Sequence, residues 1–250
     1  MDLMVVTGTG TGVGKTVTTA ALVVCALRAR RSVAVVKPVQ TGVSPDEPGD
    51  MAEVARLSGH ADVHELARFA EPLAPATAAR RAGQNGPGTA ELAAGVRELA
   101  GRDLVIVEGA GGALVRFNSR GDTLLDLVEE LGAGRTVRVL LVVSSGLGVL
   151  NTAALTAEAL ARRRIGLMGV VVGDWPDEPD LACRCNLTDL SAYAGAPVLG
   201  VLPTGAGATE GPDFHALATR SLAPALGGSL DLPAFIAAHT APPPHHQELT

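Results

Sequence analysis

Lysine is almost missing from this chain. The 250 residues carry twenty lysines and arginines together, and only Lys15 and Lys37 are lysines, which leaves eighteen arginines. Aromatic residues make up 2% of a chain that is 47% apolar, so the core has to be built from Val, Leu, Ala and Ile. Such a core suits a buried parallel sheet covered by Ala- and Leu-rich helices. Three cysteines, Cys25, Cys183 and Cys185, are too few for a disulfide framework, and a reducing cytosol is expected. Basic residues cluster only in short arginine pairs and triplets and the net charge is −6, which argues against a nucleic-acid surface. No apolar run approaches the roughly eighteen residues of a membrane span, and no charged leader with an apolar core opens the chain. The expectation is a cytoplasmic protein with no nucleic-acid or membrane partner. Both lysines lie outside any Asn/Thr-Lys-x-Asp string, which argues against a signalling GTPase.

What is present is a series of short, near-continuous apolar runs, the pattern of strands buried on both faces. They are Leu3–Thr7, Val33–Val36, Leu104–Val107, Val137–Val143, Leu167–Val172 and Val198–Leu202. Helical periodicity fills the intervals, most clearly over Lys15–Arg30 and Val149–Arg164, the latter with Arg162–Arg164 in its last turn, where cations suit the helix dipole. The interval from Val36 to Leu104 is longer and is expected to hold helices near Asp50–Ser58, Pro75–Ala82 and Thr89–Ala100. Alternation of this kind predicts an α/β fold: a doubly wound, mostly parallel sheet with helices on both faces. One domain over residues 1–238 is expected, followed by a disordered tail at 239–250, where Pro242–Pro244 and His245-His246 read as solvated.

Between the first strand and the first helix lies Gly8-Thr9-Gly10-Thr11-Gly12-Val13-Gly14-Lys15-Thr16. A glycine loop in that position aims backbone N–H groups at an anion, and the helix N-terminus adds positive potential. Lys15 is placed to reach the outer phosphates of a nucleotide, and the Thr16 hydroxyl to hold Mg²⁺. Five residues separate Gly8 from Gly14, one more than the strict phosphate-loop pattern allows. Lys37 ends the second strand on the edge that also carries the phosphate loop, with Pro38 closing the strand and Thr41 on the loop beyond. Glu108 ends the strand over Asp103–Val107, where phosphate-loop proteins hold their metal, and the glycines behind it let a ligand approach the backbone. Asp50, three residues before Glu53, reads either as a helix N-cap or as a second metal ligand. Gly146-Leu147-Gly148-Val149-Leu150-Asn151 opens a helix, either as a second anion site or with Asn151 as its cap. Arg80-Arg81 reads as a solvated helix end or a substrate neighbour. The Cys183-x-Cys185 pair lacks the further ligands a metal needs, and Cys25 reads as packing.

Taken together, Val6–Thr16, Lys37-Pro38-Val39-Gln40-Thr41-Gly42, Glu71–Pro75, Val107–Gly112, Gly146–Asn151 and Leu202-Pro203 resemble the dethiobiotin synthetase family over about residues 3–205. The longer phosphate-loop spacing is the family's own. The resemblance implies a P-loop NTPase-like fold and an ATP-dependent carboxylation that closes 7,8-diaminononanoate and CO₂ into dethiobiotin in biotin synthesis. Carried over by position, Gly12, Val13, Gly14, Lys15, Thr16 and Val17 wrap the triphosphate of ATP or another nucleoside triphosphate. Thr16, Asp50 and Glu108 hold Mg²⁺, and Lys37 and Lys15 are the catalytic lysines. Thr41 contacts substrate, and Glu108, Gly109, Ala110 and Gly111 lie between nucleotide and substrate. Gly148, Val149, Leu150 and Asn151 bind the substrate's far carboxylate from the partner subunit of a homodimer. The base lies between Gly173-Asp174 and Pro203-Thr204-Gly205. One departure stands out: Gly173 replaces an Asn whose amide reads adenine, which implies relaxed choice of nucleotide.

Two rivals share this neighbourhood. A partition- or positioning-type switch ATPase carries a second lysine early in the loop, where this chain has Gly10, and needs a basic DNA surface or a membrane-seeking C-terminus. An amide-forming synthetase of the cobyrinate kind brings a glutamine-hydrolysing domain, for which no room remains.

Overall fold

A computed structural model describes residues 1–134 and 136–240. In chain order the elements are β1 (Asp2–Gly8), α1 (Lys15–Arg28), β2 (Val33–Lys37), β3 (Gln40–Thr41), α2 (Asp50–Ser58), β4 (Val63–Glu65), β5 (Arg68–Phe69), α3 (Pro75–Arg81), α4 (Thr89–Glu98) and β6 (Leu104–Gly112). Then follow α5 (Leu124–Gly132), β7 (Val137–Val143), α6 (Val149–Arg162), β8 (Leu167–Trp175), α7 (Leu181–Ala194), β9 (Val198–Pro203), α8 (Gly211–Ser221) and α9 (Leu232–Thr240). Seven strands form one sheet in the order β4-β2-β6-β1-β7-β8-β9, and each pairing in it is parallel. β3 and β5 form a separate two-stranded ribbon.

The apolar runs are buried on both sides because alternate residues enter different cores. Met4 and Val6 of β1 pack with α1, α2 and α8, while Leu3 and Val5 pack with α3, α4 and α5. A third cluster joins β7, β8 and β9 to α6, α7 and α9 through residues such as Leu141, Val170 and Leu187. Register fixes the functional edge. Val36 pairs with Val107, so the next residues along, Lys37 and Glu108, emerge side by side at the carboxyl end of the sheet.

The expected strands and helices are present, with corrected ends. α1 and α6 stop at Arg28 and Arg162, and the chain leaves each through a left-handed residue, Arg30 (φ 57°) and Arg164 (φ 58°). Residue 239, expected to open the tail, belongs instead to α9, which runs to Thr240, and the His239 ring stacks on Phe235 at 4.1 Å. Residues 241–250, with the proline run and both tail histidines, lie outside the described residues. No helix among the described residues is long and apolar enough to cross a membrane.

Candidate active site

The phosphate loop joins β1 to α1 through two glycines in left-handed conformation, Gly12 (φ 76°) and Gly14 (φ 89°). Gly14 is the N-cap of α1 and offers no side chain, so the first N–H groups of the helix stay available to an anion. The loop is braced from behind. A Cβ at Gly173 would sit 2.2 Å from the Val13 carbonyl oxygen, and one at Gly14 would sit 2.4 Å from the Gly173 carbonyl oxygen. Glycine at 173 is therefore a packing requirement of this loop, whatever it does for the base.

Beside the loop opens a cavity of about 410 Å³, lined by Thr11, Gly12, Gly14, Lys15, Thr16, Val17, Lys37, Gln40, Thr41, Asp50, Ala110 and Gly111. Both lysines of the chain are buried in it. Lys37 Nζ lies 2.8 Å from Glu108 Oε1 and 2.5 Å from Asp50 Oδ2, and it donates to the Gly109 carbonyl at 3.3 Å. Burial opposes its charge, but the charges of Glu108 and Asp50 outweigh that cost and hold its pKa above the ordinary lysine value. Lys15 behaves in the opposite way. Its Nζ donates to the Gly10 carbonyl at 2.7 Å, and burial, then the nearby charge of Lys37, brings its pKa down to about 8 despite Glu108 and Asp50.

Glu108 is fully buried. Its Oε1 accepts from the Thr16 hydroxyl at 3.0 Å and from Lys37, while its Oε2 has no partner among the described residues. A buried carboxylate oxygen without a partner, next to a hydroxyl and the partly exposed Asp50 carboxylate, makes a hard-oxygen donor set that suits a divalent cation such as Mg²⁺.

Asp50 does not cap α2. Gly49 is the N-cap, and Asp50 is the first helical residue, with its carboxylate turned to Lys37. Its backbone N–H is taken by the side chain of Gln40, at 3.0 Å. Sequence reasoning assigned Gln40 no role, although it stands inside the Lys37–Gly42 motif. Thr41, Ala110 and Gly111 line the cavity, Gly111 with φ 69°. Gly109 is closed in by Leu124, which a Cβ there would meet at 2.6 Å.

Gly148, Val149, Leu150 and Asn151 share this sheet edge at the start of α6 but do not line the cavity. Gly148 (φ 93°) is the N-cap and Asn151 is an exposed third helical residue, so the capping role open to Asn151 is corrected. The loop before it is pinned by Asn186, whose amide donates to the Ser145 and Gly146 carbonyls at 2.9 Å each. The ends of β8 and β9, which carry Gly173-Asp174 and Pro203 with Thr204-Gly205 just beyond, run side by side. Pro203 pairs with Trp175, and the Thr204 hydroxyl donates to Asp174 Oδ1 at 2.6 Å. Arg81 is paired with Glu71. Cys183 is buried beside Ser145 while Cys185 is exposed, so the two thiols do not converge.

A phosphate loop at the end of β1, a buried carboxylate on the neighbouring strand β6 and a parallel sheet wrapped on both faces define a P-loop NTPase-like protein. Solved structures agree on the fold. The MinC:MinD complex of Aquifex aeolicus superposes with a TM-score of 0.51 at 14% identity, covering 86% of this chain and 85% of that one. Chloroplast FtsY of Physcomitrella patens gives 0.52 at 18% identity, covering 96% and 65%. A family described as an AAA domain matches residues 2–210. The ATP-dependent dethiobiotin synthetase BioD of Streptomyces avermitilis is 57% identical over 239 residues, 95% of this chain and 99% of that protein. Its counterpart in Frankia casuarinae is 58% identical over 230 residues, 92% and 95% respectively. The chain belongs to the ATP-dependent dethiobiotin synthetase family.

Proposed function

We propose that this protein converts 7,8-diaminononanoate, CO₂ and a nucleoside triphosphate into dethiobiotin, nucleoside diphosphate and phosphate. The observation that carries the reading is the joint burial of Lys15 and Lys37 in one cavity with Thr16 and Asp50, directly beside Glu108. A carbamate and a triphosphate are both anionic and have to meet, so convergent positive charge addresses the main obstacle. One amine nitrogen attacks CO₂ and loses a proton, giving the carbamate. A carbamate oxygen then attacks the γ-phosphorus, breaking its bond to the bridging oxygen, which leaves with the diphosphate. The second amine attacks the carbamoyl carbon and loses a proton, and the C–O bond to phosphate breaks as the ring closes, so phosphate departs with that oxygen.

Lys15 and the first N–H groups of α1 hold the β- and γ-phosphates. Lys37, kept charged by Glu108 and Asp50, meets the carbamate and the migrating phosphoryl group. Thr16, Glu108 and Asp50 would hold Mg²⁺, which when bound supplies charge neutralisation on the phosphate oxygens. Thr41 contacts the diamine. The start of α6, from Gly148 to Asn151, does not line its own cavity and serves the partner's substrate carboxylate in a cytoplasmic homodimer. A monomer in sedimentation at assay concentrations would remove that last part. The structural likeness to MinD shows a shared fold at 14% identity and carries no claim on partition or positioning.

Phosphate release should require both diamine and bicarbonate, with either omission abolishing it; release without them would favour a free-standing ATPase. In the same assay ATP, CTP and GTP should compete within about a hundredfold of one another, because Gly173 offers the base only backbone groups. ATP preference above that would overturn the nucleotide reading. Lys15 supplies a pH test. Nucleotide binding needs its charged form, so affinity should be level below pH 7 and fall above about 8 by up to about tenfold per unit. Flat affinity from pH 7 to 9.5 in a fluorescent-nucleotide titration would contradict it.

A further inference from the structure

Gln40 is buried, and its amide spans two parts of the site. Its Oε1 accepts the backbone N–H of Asp50 at 3.0 Å, and its Nε2 donates to the Thr41 carbonyl at 3.0 Å. The backbone beneath it is fixed independently, because Gln40 N–H donates to the Ala67 carbonyl at 2.8 Å where β3 pairs with β5.

The first N–H groups of a helix lack intrahelical partners, and a Ser, Thr, Asp or Asn at the N-cap ordinarily satisfies one of them. α2 has Gly49 there, which offers no side chain, and a larger residue would have to displace the side-chain ends around it. A Cβ at position 49 would stand 2.7 Å from Glu65 Oε1, 3.0 Å from Arg68 Nη2 and 3.1 Å from Gln40 Cδ. Gln40 therefore takes the N–H of Asp50 from ten residues away. That contact holds the Asp50 backbone while leaving its carboxylate free to face Lys37.

We infer that Gln40 is a positioning residue that ties the metal-site carboxylate Asp50 to the substrate-contact residue Thr41, so that cation and diamine are bound by one rigid unit. The inference rests on the assignment of Asp50 and Thr41 above. Outer partners that orient metal ligands are commonly worth about ten- to a hundredfold in metal affinity.

The test compares Gln40→Met, which keeps the volume and loses both bonds, with Gln40→Glu, which keeps an acceptor for Asp50 but no donor for Thr41. Mn²⁺ binding is read by electron paramagnetic resonance with a non-hydrolysable ATP analogue present. Steady-state kinetics then give the separate KM values for diamine and ATP. Gln40→Met should weaken Mn²⁺ and raise the diamine KM, each about tenfold, with the ATP KM within about twofold of wild type. Gln40→Glu should raise the diamine KM with a smaller change in Mn²⁺ binding. Unchanged Mn²⁺ affinity and diamine KM in both variants would overturn the inference. So would equal losses in all three constants with an early melting transition, the mark of a merely structural residue. Asp50→Asn separates the two readings. If it leaves Mn²⁺ affinity intact, the metal assignment itself is wrong; if it abolishes binding while the Gln40 variants bind normally, only the role of Gln40 fails.

Discussion

Replacing Lys37 with alanine is expected to lower kcat/KM by at least about a thousandfold, the scale set by removing a preorganised charge from a transition state. The structure adds a second effect that the sequence did not disclose. Glu108 is fully buried, and Lys37 is its charged partner. Removing one member of a buried pair costs about 3–5 kcal/mol, so the melting temperature should fall on the order of 10 °C. Asp50 keeps partial access to water and is less affected. Magnesium should restore part of the melting temperature, since a cation can neutralise Glu108, without restoring turnover. Near-normal phosphate release by Lys37→Ala would remove Lys37 from the chemistry. An unchanged melting temperature would show that the pair is not a stabilising unit.

Glu108→Gln should abolish turnover to a comparable degree with a much smaller loss of stability. The amide oxygen can still accept from the Thr16 hydroxyl, and Lys37 keeps Asp50 at 2.5 Å. What disappears is the charge, and with it cation binding. Glu108 also helps Lys15 hold its proton, so the fall in nucleotide affinity should move to lower pH in this variant. Combining Glu108→Gln with Lys37→Ala should give a protein more stable than Lys37→Ala alone, because the stranded charge is gone. Turnover above a tenth of wild type in Glu108→Gln, or a double variant less stable than either single one, would sink this account.

Much of the fold was legible because the strands are buried on both sides and advertise themselves as unbroken Val and Leu runs. β4 is the counterexample. Its three residues, Val63, His64 and Glu65, form an edge strand with no apolar run to betray it. α7 was hidden for another reason: its polar residues are not segregated, and Asn186 is buried because it bonds the loop before α6. α5 did carry a signal, a capping box between Thr123 and Asp126, that periodicity alone passed over.

At the site, Lys15, Thr16 and Lys37 could each be placed at an element end from the chain alone, whereas Glu108, expected to end its strand, lies inside β6, which runs on to Gly112. Their mutual contacts could not, because Lys37 and Glu108 are 71 residues apart and meet only through the β2–β6 register. Asp50 misled as a cap because the group that satisfies its helix belongs to Gln40, on a different element. Local spacing has no access to a bond of that kind.

The contact between Gly14 and Gly173 constrains how this protein's base selectivity can be redesigned. Grafting an asparagine amide onto position 173 alone would push against the Val13 carbonyl and dislodge the glycine loop between β1 and α1, so the variant would be crippled before it became selective. A successful library has to randomise the stretch around Val13 together with position 173. Among natural relatives, the path of that stretch and the residue at 173 should have changed in step.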